Sequence, residues 1–250
     1  VYDKFGLEFP VLIKFIDAND ILSIQVHPDD ETTIQRHNSP GKTEMWYIIE
    51  AEKDSQIITG FNRDTNKEEF QEFLNSGRLK ELMNFVNVSK EDSFFMPAGR
   101  VHAIGSGILL AEIQQTSDVT YRIYDWDRKD ENGKSRELHT AEALDVMDYK
   151  YHDNSKIDYE KTRNNTVNLA SCPYFHTNIM NFDQKVEKDF SFIDSFVVYI
   201  CTRGKVQMIY HGTERVDLTI GETMLVPAEI KEIQLDPLED STLLEVYIKN

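Results

Sequence analysis

MWYIIEAEKDSQIITG (residues 45–60) and EDSFFMPAGRVHAI (91–104) are echoed later in the chain by VVYICTRGKVQMIYHG (197–212) and GETMLVPAEIKEI (221–233). Each pair reads as an apolar strand, a turn and a second strand, followed by a short strand, a Pro-containing turn and another strand. Aligning Trp46 with Val198 and Pro97 with Pro227 gives two offsets. They differ by about the length of one segment, residues 66–85, which breaks the β pattern. A diverged internal repeat explains this simply: two similar β units, the first interrupted by helices.

Working outward, residues 21–27 alternate cleanly, with Leu22, Ile24 and Val26 on one face and Ser23, Gln25 and His27 on the other. Residues 45–50, 56–59, 93–96, 108–114 and 121–126 are further strand candidates, mostly separated by Gly, Pro, Asn or Asp. In the interrupting segment, Thr65 and Glu68 resemble a capping box. Phe70, Phe73 and Leu74 then recur at helical spacing, Gly77 is a stop, and Leu79, Leu82, Met83 and Val86 form a second stripe. The reading is a helical insertion over 66–85. Another helix is expected over 140–147 with Thr140 as its N-cap, and the polar stretch 127–165 connects the two halves.

Composition narrows the class. The 250 residues are 40% hydrophobic and 28% charged, an ordinary globular balance with enough length for a sizeable core. A net charge of −17 repels nucleic-acid backbones and anionic lipid, so neither is an expected partner, and an anionic substrate needs a local basic pocket. No apolar run approaches the roughly 18 residues that span a bilayer. The N-terminal VYDKFGLEFP has no signal-peptide pattern and no initiator Met, so upstream residues are expected. Cys172 and Cys201 lack metal-like spacing, which points to reduced thiols and a cytoplasmic protein. The sequence does not set an oligomeric state.

The chemistry-bearing residues sit on these strands. Period two places Gln25 and His27 on one polar face, and Lys42 shares a face with Glu44. His102 follows the Pro97 turn. Two imidazoles and a carboxylate, with an amide beside them, suit a divalent first-row metal with an open position. That donor set also describes non-haem iron oxygenases. Glu112 and Gln114 share a strand face, as do Arg122, Tyr124 and Trp126. Glu112 and Arg122 offer an acid/base group and an anion clamp, or else a surface ion pair. His37, His139, His152, His176 and His211 read as surface or packing residues. Asp125, Asp127, Asp130 and Glu131 read as a solvated loop without EF-hand spacing.

FPVLIKFIDANDILSIQVHPDDE, GKTEMWYII, FFMPAGRVHAIGSGILLAEIQQTSDVTYRIYDWDR and RELHTAEALDV closely resemble the short bacterial form of type I mannose-6-phosphate isomerase, a zinc-dependent group within the cupin superfamily. The specific motifs cover roughly residues 5–150. The resemblance implies a mainly β bicupin of two antiparallel barrels: a catalytic barrel over 1–150 with the helical insertion, and a degenerate barrel over 151–250 without metal ligands. It places the zinc ligands on Gln25, His27, Glu44 and His102, and the active-site arginine on Arg122. Lys42 matches a lysine of substrate handling, and Glu112 and Asp118 match acidic residues of proton transfer or orientation. Arg100 and Lys42 are the cations nearest to hand for a 6-phosphate. In the second half, Glu232 falls where the first has His102, and Phe196 where the first has Glu44. The implied reaction interconverts mannose 6-phosphate and fructose 6-phosphate through an enediolate on one Zn2+. A non-catalytic sugar-phosphate-binding cupin is the other implied reading, because family members usually carry a further N-terminal segment and this sequence begins after it.

Overall fold

A computed structural model describes residues 6–153 and 155–249. Val1 to Phe5, part of the N-terminal stretch read above, lie outside the described residues. Val11–Ile157 form one compact unit; Asp158 onward, with the residues up to Pro10, form another.

The first unit contains β1 (Val11–Ala18), β2 (Ile24–Val26), helix α1 (Asp30–His37), β3 (Glu44–Ala51), β4 (Gln56–Phe61), helix α2 (Lys67–Asn75), β5 (Met83–Asn87), β6 (Ser93–Met96), β7 (His102–Ile104), β8 (Ile108–Gln115), β9 (Tyr121–Tyr124) and helix α3 (Thr140–Val146). Two antiparallel sheets result, ordered β1-β8-β3-β6 and β5-β4-β7-β2-β9. Trp46, Ile48, Phe94, Met96 and Leu110 from one sheet meet Ile57 and Ile104 from the other in an inner core. The outer face of the second sheet carries Ile24, Val26, Ile58, Phe61, Ala103 and Ile123, covered by Phe70, Leu79, Leu82, Ala143 and Leu144. Phe70 is fully buried there, worth about 2–3 kcal/mol. The short strands β2 and β7 are therefore apolar on the helix side and free to be polar on the inner side.

The expected helical insertion holds only in its first half. Lys67–Asn75 is helical, but capped one residue late: the Asn66 carboxamide accepts from the Glu69 N–H, while the Thr65 hydroxyl donates to the Glu69 carboxylate. After a short 3-10 turn at Leu79–Glu81, residues 83–87 form β5, not helix. Their β-branched and aromatic side chains suit an edge strand, and β4 presents unpaired backbone groups that pairing with Val86 and Phe85 satisfies. The strand expected over 121–126 stops at Tyr124, because Trp126 and Asp127 turn with positive φ.

The second unit repeats this plan. Its strands are β10 (Thr166–Ser171), β11 (His176–Phe182), β12 (Val186–Asp189), β13 (Val197–Arg203), β14 (Lys205–Tyr210), β15 (Glu214–Thr219), β16 (Thr223–Val226), β17 (Glu232–Pro237) and β18 (Ser241–Tyr247). β13 lies between β16 and β18 as β3 lies between β6 and β8, and β14 lies between β15 and β17 as β4 lies between β5 and β7. The register corrects the sequence alignment by one residue. Glu44 pairs with Met96, the residue before Pro97; Val197 pairs with Val226, the residue before Pro227. Val197, not Phe196, therefore stands at the place of Glu44. Likewise Ile57 pairs with Ile104 inside the first core and Met208 with Leu235 inside the second. Two residues back, Ile233 and not the exposed Glu232 takes the place of His102. Lys188 pairs with Ile233 as Gln25 pairs with His102.

Candidate metal centre

Three strands bring the expected ligands together. The side chains of His27, Glu44 and His102 are buried, and each presents a donor atom within 4.8 Å of the other two. His27 Nε2 lies 3.5 Å from Glu44 Oε2, and His102 Nε2 lies 3.4 Å from Glu44 Oε1. Gln25, on the inner face of β2, sets its carboxamide nitrogen 3.3 Å from His102 Nε2. Lys42 Nζ lies 3.2 Å from Glu44 Oε2.

The outer ring nitrogens fix the tautomers. His27 Nδ1 is 3.0 Å from the Val119 carbonyl and His102 Nδ1 is 2.8 Å from the Arg100 carbonyl. A carbonyl only accepts, so each Nδ1 carries the proton and each Nε2 points its lone pair at Glu44. Burial holds the His27 imidazole well below its usual pKa, helped by the charge of Lys42 and by the competition of His102 for a proton. Burial brings His102 down to about 4 against the pull of its backbone carbonyl. Both rings are neutral, the form in which imidazole ligates metal. His27 Nε2 is buried without a hydrogen-bond partner, and Glu44 Oε2, 3.5 Å from it, is met by Lys42 Nζ. A buried imidazole lone pair facing a carboxylate is what a cation satisfies. The donor set fits a divalent metal held by His27, Glu44 and His102, with the Gln25 amide alongside.

Around this centre, Glu112 is buried on β8 next to β3. Burial raises its pKa, and Glu44 adds to the effect, against Lys42 and Lys14. Lys14, on β1, donates to Glu112 Oε1 at 2.9 Å and to Gln114 Oε1 at 2.5 Å. Trp46 Nε1 donates to Glu44 Oε1 at 3.0 Å and to Glu112 Oε2 at 3.2 Å. Lys14 and Trp46 were not singled out in the sequence. The available signal was one lysine on a largely apolar strand, and an indole beside the ligand glutamate in EMW.

Arg122 pairs with Gln25 across β2 and β9, which brings it beside the centre. Its Nη1 donates to the Glu137 carbonyl and its buried Nε has no partner. Arg100, two residues before His102, is buried with Nε and Nη1 unpartnered, over Gly60, whose φ is +70°. A Cβ on Gly60 would come within 3.1 Å of Arg100 Cδ, so the glycine leaves the guanidinium its room. Asp118 is exposed on the turn after β8 and is not one of the buried cluster. His139 packs on β9, its Nδ1 accepting from the Arg122 N–H. The loop expected to be solvated is so only in part. Asp125 is buried and receives Arg128 and Arg136, while Asp127, Asp130 and Glu131 are exposed.

No helix among the described residues is long and apolar enough to cross a membrane. Residues 1–43 match the family profile "Phosphomannose isomerase type I, catalytic domain". The chain is 39% identical over 238 residues to the mannose-6-phosphate isomerase ManA of Bacillus subtilis, covering 92% of this chain and 73% of that protein. It is 35% identical over 229 residues to the mannose-6-phosphate isomerase of Streptococcus mutans, covering 91% and 71%. A crystal structure of the mannose 6-phosphate isomerase from Bacillus subtilis superposes with a TM-score of 0.87 at 31% identity, over 97% of this chain and 77% of that one. The mainly β architecture is therefore that of a cupin, and the chain belongs to the type I mannose-6-phosphate isomerase family.

Proposed function

We propose that the buried cluster of His27, Glu44 and His102 is where this enzyme interconverts mannose 6-phosphate and fructose 6-phosphate by metal-dependent proton transfer. The observation that carries this is the buried His27–Glu44–His102 set, with neutral imidazoles and an unpartnered His27 Nε2, in a chain of this family. Zinc is the proposed metal, because nitrogen and oxygen donors in a set with an open position suit it. When bound, a divalent cation supplies Lewis-acid stabilisation of the oxygen on which negative charge develops.

The remaining chemistry belongs to side chains. Aldose and ketose differ by a proton that leaves C2 and arrives at C1, through an enediolate. A base must carry it. Glu112 is the first candidate: it is buried, and burial and Glu44 raise its pKa. Lys42, whose Nζ lies 3.2 Å from Glu44 Oε2, is the second candidate. Arg122 supplies a fixed positive charge beside the enediolate oxygens, and its free Nε is a donor in reserve. Asp118, exposed on the turn after β8, is the candidate for orienting substrate from the solvent side. Arg100 holds the 6-phosphate: a buried guanidinium with two unpartnered N–H groups matches an anion's acceptor oxygens. Lys42 adds to the positive field of an otherwise acidic protein. The reaction belongs to the cytoplasm in this reading, in keeping with Cys172 and Cys201, which are free thiols.

His102→Ala tests the assignment. It is expected to abolish metal retention and turnover together. Turnover of mannose 6-phosphate at the wild-type rate in His102→Ala would refute the metal site.

A further inference from the structure

The indole N–H of Trp46 is one proton with two buried carboxylate acceptors, Glu44 Oε1 at 3.0 Å and Glu112 Oε2 at 3.2 Å. Trp46 itself is fully buried, and its ring meets the His102 ring edge-on at 5.5 Å between centroids. Register explains the geometry: Trp46 is the direct cross-strand partner of Glu112 and stands two residues after Glu44 on the same inner face of β3. A single N–H cannot bond both acceptors fully. Whatever draws charge from Glu44 releases the donor towards Glu112.

The second unit shows the same position without a glutamate at the place of Glu44. There Tyr199 pairs with Glu245 as Trp46 pairs with Glu112, and its hydroxyl donates to Glu245 Oε2 at 2.6 Å. Asn178, at the ladder place of Lys14, donates to Glu245 Oε1 at 2.9 Å. Val197 occupies the place of Glu44, so the tyrosine serves one glutamate alone. An aromatic donor fixing a buried glutamate is thus a feature of both halves. Only in the first half is that donor shared with a metal-ligand candidate.

We propose that Trp46 is a positioning residue for isomerisation, whose indole N–H holds the proton-transfer carboxylate of Glu112 and ties its placement to the state of Glu44. This rests on the reading of Glu112 given above. The N–H moves no proton of its own; it fixes which Glu112 oxygen faces the substrate, since Lys14 holds Oε1 and Trp46 holds Oε2.

The chain has two tryptophans, so a 1H–15N spectrum carries two indole signals. Trp126 Nε1 donates to the Leu22 carbonyl and serves as the internal control. Trp126→Phe assigns both signals without touching the site. Glu112→Gln is expected to move the Trp46 signal and leave that of Trp126 in place, and adding zinc to the metal-free protein is expected to do the same. In kinetics, Trp46→Phe keeps the ring and deletes the donor. Its kcat is expected to fall about tenfold or more, with KM within threefold and metal content unchanged, as one charge-assisted hydrogen bond is worth. In a Glu112→Gln background the same substitution is expected to have no further effect, whereas a packing role would add. A Trp46 signal unmoved by Glu112→Gln, or additive losses of kcat, overturns the inference. A wild-type protein without isomerase turnover refutes the function reading instead, and the spectrum then still decides whether Trp46 answers to Glu112.

Discussion

Arg100→Met separates ligand binding from folding by the sign of its effects. The Arg100 side chain is buried, and its Nε and Nη1 have no hydrogen-bond partner. Burial is also the main force lowering its pKa, with Asp148 opposing. An unsatisfied buried donor costs about 1–3 kcal/mol, and more when charged. Methionine fills similar space without donors or charge. Replacement therefore stabilises the substrate-free protein by about 1–3 kcal/mol. For a chain of this size that is a rise in Tm of roughly 2–12 °C, at about 2–4 °C per kcal/mol. The same change removes charge-assisted bonds worth about 1.5–3 kcal/mol to the phosphate, so kcat/KM falls by about 10- to 150-fold. Thermal unfolding of the metal-free protein reads the first effect, and steady-state kinetics with mannose 6-phosphate reads the second. Inorganic phosphate, which stabilises wild type by binding, should shift the variant less. A destabilised variant with unchanged kcat/KM would show that Arg100 is a structural cation, and the phosphate assignment would fall.

The other predictions concern the two buried glutamates and the clamp. Lys188 is 2.7 Å from Glu245 Oε2 with both side chains largely buried, so Lys188→Met leaves an unpaired buried carboxylate and costs about 3–5 kcal/mol in the second unit, measured by denaturant unfolding. Adding Glu245→Gln should recover much of that loss; a single variant within 1 kcal/mol of wild type contradicts a buried pair. The Glu112 pKa is raised, so its basic form grows in at higher pH than that of an ordinary glutamate. The acid limb of kcat/KM is accordingly expected above pH 4.5, and Glu112→Gln should lose that limb with most of the rate. The same raised pKa makes Glu112 favour folding at low pH, a contribution lost as pH rises through the folded-state value. Arg122→Ala is expected to keep its metal and lose most of kcat, a transition-state effect; full activity in that variant would remove Arg122 from the chemistry.

Much of this was written locally. Gln25 lies on the short strand β2 and His27 directly follows it, while Lys42 stands two residues before Glu44 at the start of β3, so the two-residue period of extended chain was enough to group them. The repeat was legible because turn residues recur in both halves. What escaped was long-range. Lys14 meets Glu112 across 98 residues and Trp46 meets it across 66, through the β1-β8-β3 register that no local pattern encodes. The second half of the insertion read as helix because Leu79, Leu82, Met83 and Val86 fit that spacing. An open edge on β4 decided otherwise. The one-residue slip between the halves has the same origin, since aligning letters fixes neither which side chain faces inward nor which ladder partner it meets. Asp125 looked like one acid in a solvated loop until folding placed Arg128 and Arg136 on it.

The most direct test of the central claim is a titration of metal-stripped protein with zinc while fructose 6-phosphate formation from mannose 6-phosphate is followed. Turnover is expected to be absent at the start, to rise linearly, and to saturate at about one zinc per chain, as the single His27–Glu44–His102 set among the described residues requires. Turnover that survives complete stripping, or none at full loading, would contradict a metal-dependent isomerase built on these residues.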